Sequence, residues 1–233
     1  MAKPTFQSCR EVSTFAVNGQ VYNQNFIKGN IRDLRKANLG RDNEGVYVPG
    51  TYGSQFFLYF GATLNPKMPG ANKVIESACF PYVLFGDTAL YGGDKDESSE
   101  YIFAQDHPSI KGSKIVMAQK VLESRLGSPQ EGEVIFGSHG VRAMPRKSAY
   151  DGEFTSRQIK KVADTIVFLT GRKESPEEVA QIMRKIRKPG FLGVPSVGRI
   201  TVPALYEGDD GLSLAGDDWD EFIDDWCSFG VRQ

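Results

Sequence analysis

The sequence predicts an α+β protein: a β-rich body, with an OB-like barrel as its favoured form, then two amphipathic helices, a further strand and a C-terminal acidic helix. Three observations predict it. Up to Tyr150, short β-prone runs alternate with turn-rich connections. After Tyr150 the apolar spacing changes to that of helices. The last eighteen residues, 216–233, hold two tryptophans and a dense set of acids. The expected organisation is one domain over 1–205, β-rich over 1–150 and helical pair plus strand over 151–205. An acidic, aromatic docking segment follows over 206–233.

In the β-rich part, "FAVNGQVY" sets Asn18 and Gly19 between two short runs, a strong hairpin signal because a type I′ turn needs positive φ at both central residues. "SQFFLYFGATL", residues 54–64, is aromatic and reads as a buried strand. Further strands are expected over 74–85, 101–104, 114–122 and 133–136, with Pro81 bending the first. "NPKMPGAN", "GGDKDESSE" and "GSPQEGE" read as connections.

The first helix starts at "TSRQIKK" with a capping box, Thr155 and Gln158. Ile159, Val162, Ala163 and Ile166 form its apolar stripe, and Gly171 stops it. In "SPEEVAQIMRKIRKPG", Ser175 is expected to cap, Pro176 to sit at N1 and Glu178 to complete the box. Val179, Ile182, Met183 and Ile186 form its stripe; Lys and Arg crowd the last turn before Pro189 and Gly190. "VGRITVPALY" is the last expected strand.

The totals bound the function. A chain of 233 residues, 40% hydrophobic and 24% charged, has an ordinary globular composition. No apolar run approaches the roughly 20 residues of a membrane span, and the N-terminus shows no secretory h-region, so a cytoplasmic protein without a membrane partner is expected. Cys9, Cys79 and Cys227 are widely spaced and lack CxxC pairing, which argues against a disulfide framework or a cysteine zinc site. His107 and His139 are too few for a multi-histidine metal centre. No cofactor is expected.

Catalytic patterns fail on spacing. Ser138 and His139 in "GSHG" are adjacent, and so are Asp106 and His107 in "QDHPS"; neighbours do not normally meet as nucleophile and base. Asp94, Asp96, Ser98 and Glu100 alternate as in a calcium loop but lack its glycine and its final acid. "GVPSVGRIT" lacks the GK[ST] of a P-loop. Cys79 sits in an apolar run and reads as a core thiol. The expectation is a protein that is not an enzyme.

Charge is segregated. Residues 142–199 hold thirteen Lys/Arg against six Asp/Glu, a net of +7; residues 200–233 hold nine acids and one Arg, a net of −8. Arg157, Lys160 and Lys161 lie opposite the first apolar stripe, and Arg184, Lys185 and Lys188 opposite the second. Upstream stand Arg32, Arg35, Lys36 and Arg41, and later Arg142, Arg146 and Lys147. With Tyr47, Tyr52, Phe57 and Tyr59 these could track a single-stranded backbone while bases stack on rings. Equally, the cations are solvated helix faces and the rings are core.

In "GDDWDEFIDDW", Trp219, Phe222, Ile223 and Trp226 fall at i, i+3, i+4, i+7, with six acids around them. A helix of ~11 residues is marginal alone, so the segment is expected to dock on a basic-rimmed surface: its own basic helices, a neighbouring copy or another protein. Carrying this stretch after "RITVPALYEGDDG", the chain resembles single-stranded DNA-binding proteins of podophage-type bacteriophages. The resemblance covers about a tenth of the chain. It implies an OB-fold body, a basic aromatic groove and an acidic tail that shields the groove and recruits replication proteins. This chain continues past the stretch as "CSFGVRQ" and has a helical pair beyond what an OB-fold needs. Two functions are therefore expected in competition: a nucleic-acid-binding protein favouring single strands, or a self-assembling viral or phage structural subunit whose C-terminal segment contacts the next copy.

Overall fold

In the computed structural model, the residues described are 10–17, 20–28, 47–49, 62–67, 71–72, 83–84, 88–93, 100–106, 124, 126–208, 211–218 and 227–232. Their strands are β1 (Arg10–Val17), β2 (Gln20–Lys28), β3 (Tyr47–Pro49), β4 (Val83–Leu84), β5 (Thr88–Tyr91), β6 (Tyr101–Asp106) and β7 (Ile135–Phe136). β8 (Val141–Pro145), β9 (Gly152–Phe154), β10 (Gly190–Leu192), β11 (Ile200–Gly208), β12 (Gly211–Asp218) and β13 (Cys227–Arg232) follow. The helices are α1 (Ile159–Thr170) and α2 (Ser175–Ile186).

The result is an α+β fold built largely on antiparallel pairing. The main path runs β1-β2-β13-β4-β11-β5-β6-β8-β7, while β12, β10 and β9 extend from the other side of β11. β1 and β7 do not pair, so the described strands form no closed barrel. The hairpin at Asn18 and Gly19 is present in register, with Val17 opposite Gln20.

Alternation along the strands makes two layers. Leu90, Ile102, Ala104 and Met144 point to the helices and join Phe154, Leu192, Leu212 and Leu214 in one core with Val162, Ile166, Leu169, Val179, Ile182 and Met183. Tyr91, Phe103, Val141 and Ala143, on the opposite parity, form a smaller cluster. The helix stripes read from spacing are thus buried as expected, apart from Ala163 and Ile186, which are half-buried.

The capping box is formed: the Thr155 amide donates to Gln158 Oε1 at 2.9 Å, on a 3-10 turn (Ser156–Gln158) that leads into α1. Gly171 ends α1 in the left-handed region, φ 70°, its N–H bonded to the Val167 carbonyl. Ser175 corrects an expectation. It is the first residue of α2 rather than its cap, its buried hydroxyl hydrogen-bonded to Thr170 Oγ1 at 2.8 Å; Glu174 takes the N-cap position. α2 ends at Arg187, left-handed at φ 58°, before Pro189 is reached.

Other strands differ from expectation for local reasons. The aromatic run's end is helical at Ala62, Thr63 and Leu64, where Ala and Leu are strong helix formers, before the breaking Pro66; residues 54–61 lie outside the described ones. Glu133 is withdrawn from β7 into a turn, where its carboxylate accepts from the Gln130 amide and its own amide bonds the Gln130 carbonyl. Of 74–85 only β4 and of 114–122 nothing is described. The acidic helix expected from residue 216 is also corrected at its start. Residues 216–218 complete β12, paired with Thr201, Val202 and Pro203 of β11, and their ladder bonds hold them extended. Residues 219–226 lie outside the described ones.

Candidate nucleic-acid interface

The chain leaves the sheet at Phe154, turns at 156–158 into α1, crosses a four-residue connection, and returns along α2 to β10. So short a connection makes the helices antiparallel neighbours, which sets the start of α1 beside the end of α2. The sheet fixes the same end independently. β9 and β10 pair antiparallel with Phe154 opposite Gly190, so the residues just outside this pair, 155 and 189, flank each other. The 3-10 turn packs on α2.

Two cationic groups nearly thirty residues apart are thereby brought to one end of the hairpin. Arg157, Lys160 and Lys161 come from the α1 side; Arg184, Lys185, Arg187 and Lys188 come from the α2 side, and all seven are exposed. Among the described residues, no ion pair engages Arg157, Lys160, Lys161, Arg184, Lys185 or Arg187. Lys161 Nζ stands 5.3 Å from the centre of the Tyr150 ring, and Lys185 Nζ donates to the Thr63 carbonyl. Asp209 and Asp210, which precede Gly211, lie outside the described residues. An exposed basic cluster of this kind attracts polyanions.

The upstream cations do not join it. Arg142, expected on the surface, is 1% exposed and is removed from the interface. It shares its strand parity with Met144, which turns it toward the helices. There its Nε donates to the Phe168 carbonyl, Nη2 to Leu169 at 2.9 Å and Nη1 to Gly140 at 3.3 Å. Those first two carbonyls are among the last four of α1, left without helical partners, at the negative end of the helix dipole. Arg142 is a C-terminal cap.

Arg146 is half-buried and joins two loops, donating Nη1 to the Pro195 carbonyl at 3.0 Å and Nη2 to Gly92. Burial pulls its guanidinium below the usual arginine value. Lys147 is exposed and pairs with Glu131 at 2.9 Å; the contact raises the lysine's pKa and lowers the glutamate's. Both bases line a cleft of about 590 Å³ with Glu100, Tyr101 and Glu131. Its mixed signs suit it poorly to a phosphate chain.

Arg32, Arg35, Lys36, Arg41, Tyr52, Phe57, Tyr59, Trp219, Phe222, Ile223 and Trp226 lie outside the described residues. Tyr47 opens β3, its backbone paired with Arg232. Sequence reasoning missed Arg187, hidden in the run "RKIRK", and the exposed rings Phe191 on β10 and Phe136 on β7. Lys173 Nζ lies 5.7 Å from the Phe136 ring centre, at the other end of the hairpin. Phe191 was readable: it is the middle residue of "GFL", where strand alternation with buried Leu192 turns it outward.

Among the described residues, no group of three or more His, Cys, Asp or Glu side chains is placed to hold a metal ion, and no helix is long and apolar enough to cross a membrane. No family model matches the chain, no characterised protein is similar to it in sequence, and no solved structure matches its fold.

Proposed function

We propose that this protein is a non-catalytic nucleic-acid-binding protein that favours single strands and engages the phosphate backbone with the basic end of its helical hairpin. One observation carries the reading: two separate runs of lysine and arginine converge on that end, exposed to solvent. Exposed cations close together neutralise successive phosphates and release counterions. Tyr150 beneath Lys161 supplies a ring at the patch, which supports a preference for unpaired bases. The OB-like part of the reading concerns residues before Tyr150. Its support is the β1–β2 hairpin and the antiparallel ladders of β5, β6 and β8. The acidic, aromatic stretch supports a phage or viral setting by its resemblance, with replication proteins as partners.

The test is fluorescence anisotropy with single- and double-stranded oligonucleotides at two salt concentrations. The expected result is tighter binding of the single strand and a steep loss of affinity with salt. Salt-independent binding, or none at low salt, overturns the reading.

A further inference from the structure

Strand alternation gives the sheet two faces at β9 and β10. Phe154 and Leu192 point into the core that holds the helices. A Cβ on Gly190 would stand 2.7 Å from the Phe154 ring, so that ring lies over the helix side of β10. Glu153 and Phe191 take the other parity and face away from the helices. They are register partners in the antiparallel pair, Phe191 opposite Glu153. Directly opposite residues have Cβ atoms about 4.5–5.5 Å apart. A phenyl ring and a carboxylate therefore stand side by side on the outer face.

Neither side chain is engaged within the fold. The Phe191 ring is 41% exposed and meets no other ring or cation among the described residues. Glu153 is exposed, and its carboxylate has no hydrogen bond or ion pair among the described residues. Its backbone is held, because the Tyr150 hydroxyl donates to the Glu153 carbonyl. Exposed apolar side chains standing singly are common. This one adjoins the basic end. Arg157 follows Glu153 by four residues and Arg187 precedes Phe191 by four, each at most about 14 Å along the chain. Lys161 stands over the same Tyr150 ring. A single strand whose phosphates lie on the basic end brings its next bases to Phe191. A carboxylate at that place repels phosphate, but it accepts hydrogen bonds from base donors.

We propose that Phe191 and Glu153 form a base-reading site that selects guanine in a single strand held by the basic end, an assignment that rests on the nucleic-acid reading above. Phe191 stacks the base. A stack alone accepts every base, because each has a π-face. Glu153 supplies the choice, since a carboxylate presents acceptors only. Guanine is the one common base whose Watson–Crick edge offers two adjacent donors, N1–H and the N2 amine, and the two carboxylate oxygens accept both. Adenine and cytosine set a ring-nitrogen acceptor beside their amine, and thymine sets a carbonyl on each side of N3–H. Each of these turns a lone pair against the carboxylate. In a duplex the same guanine edge is occupied by cytosine, so the site reads unpaired strands.

Anisotropy titrations at two salt concentrations test it, using short oligothymidylate DNA strands that carry one central guanine, adenine, cytosine or inosine, or no substitution. The wild-type chain is expected to bind the guanine strand at least about fivefold more tightly than the others, the discrimination a bidentate base contact supplies. Inosine lacks the N2 amine and should lose the preference. Glu153→Gln should bind all the strands alike, with no loss of affinity for plain oligothymidylate. Phe191→Ala should weaken every strand by about fivefold or more and leave the salt slope unchanged. Both positions are exposed, so both variants are expected to keep the wild-type denaturant midpoint. Wild-type affinities that do not distinguish guanine overturn the inference, as does a guanine preference that Glu153→Gln retains or a Phe191→Ala variant that binds like wild type. In each of those cases salt-dependent binding leaves the nucleic-acid reading standing. Absence of binding to every strand at low salt overturns both.

Discussion

The two ends of the helical hairpin use positive charge in opposite ways. At the end of α1, one arginine is withdrawn from water and its fork is spent on helix carbonyls; the Thr170 and Ser175 hydroxyls close the adjoining connection. At the start of α1 and the end of α2, seven cations stand exposed. In the sequence both belong to the same basic tract. What separates them is parity on one strand: Arg142 faces the helices because Val141 and Ala143 face the other way. A basic tract therefore states an amount of charge, and the sheet decides which part is structure and which part is surface.

The largest expected effect breaks the buried end. Arg142→Met leaves the Phe168 and Leu169 carbonyls buried without their donors, each charge-assisted bond contributing about 1.5–3 kcal/mol. We expect a loss of about 3 kcal/mol or more, read as a lower denaturant midpoint. Arg142→Lys should recover little of it, since one ammonium cannot reproduce the planar fork. Oligonucleotide affinity per folded molecule should not change. The exposed end should behave in reverse. Arg157→Gln/Lys160→Gln/Arg184→Gln is expected to stay within about 0.5 kcal/mol of wild-type stability per site. Its plot of log affinity against log salt should flatten by about 2 if all three contact phosphates of a single strand. Equal stability losses at the two ends would remove the distinction.

That contrast also shows what was legible. The stripes of α1 and α2, the capping box and the β1–β2 hairpin rest on neighbours within four residues, and the sequence carried them. β8 was hidden because an arginine occupies a core-facing position in "VRAMP", and only the α1 carbonyls explain it. β12 was lost to a competing period: Leu212 and Leu214 alternate as a strand, but the residues after 216 suggested a helix. Individual cations of the interface were visible, while their convergence was not, because it depends on β9 meeting β10 across the whole hairpin.

A smaller effect sharpens the comparison at the end of α2. Both helices close with a left-handed residue whose N–H bonds the carbonyl four residues back: Gly171 to Val167 and Arg187 to Met183, each at 2.8 Å. Glycine holds that conformation without strain, whereas a residue with a Cβ gives up about 1 kcal/mol. Arg187→Gly is expected to stabilise the fold by about 0.5–1 kcal/mol by thermal or chemical denaturation. If Arg187 is kept for its charge, the same variant lowers the salt slope of oligonucleotide binding by about 0.7. Gain in stability with an unchanged slope would take Arg187 out of the interface.

The smallest effect lies at the other end of the same helix. Glu178, in the first turn of α2, is half-buried, and its Oε2 has no hydrogen-bond partner among the described residues. Burial raises its pKa above 4.5, Arg172 opposes that rise, and Glu174 adds to it. A carboxyl whose folded pKa exceeds its unfolded value binds more protons folded than unfolded over the interval between the two. Its favourable contribution is complete below the unfolded value and is lost as pH rises through the folded one. Glu178→Gln should therefore raise stability at pH 7 and lose that advantage as pH falls toward 4.5, measured by denaturation at a series of pH values. A glutamine variant with the same pH slope as wild type would show that Glu178 is solvated rather than desolvated by burial.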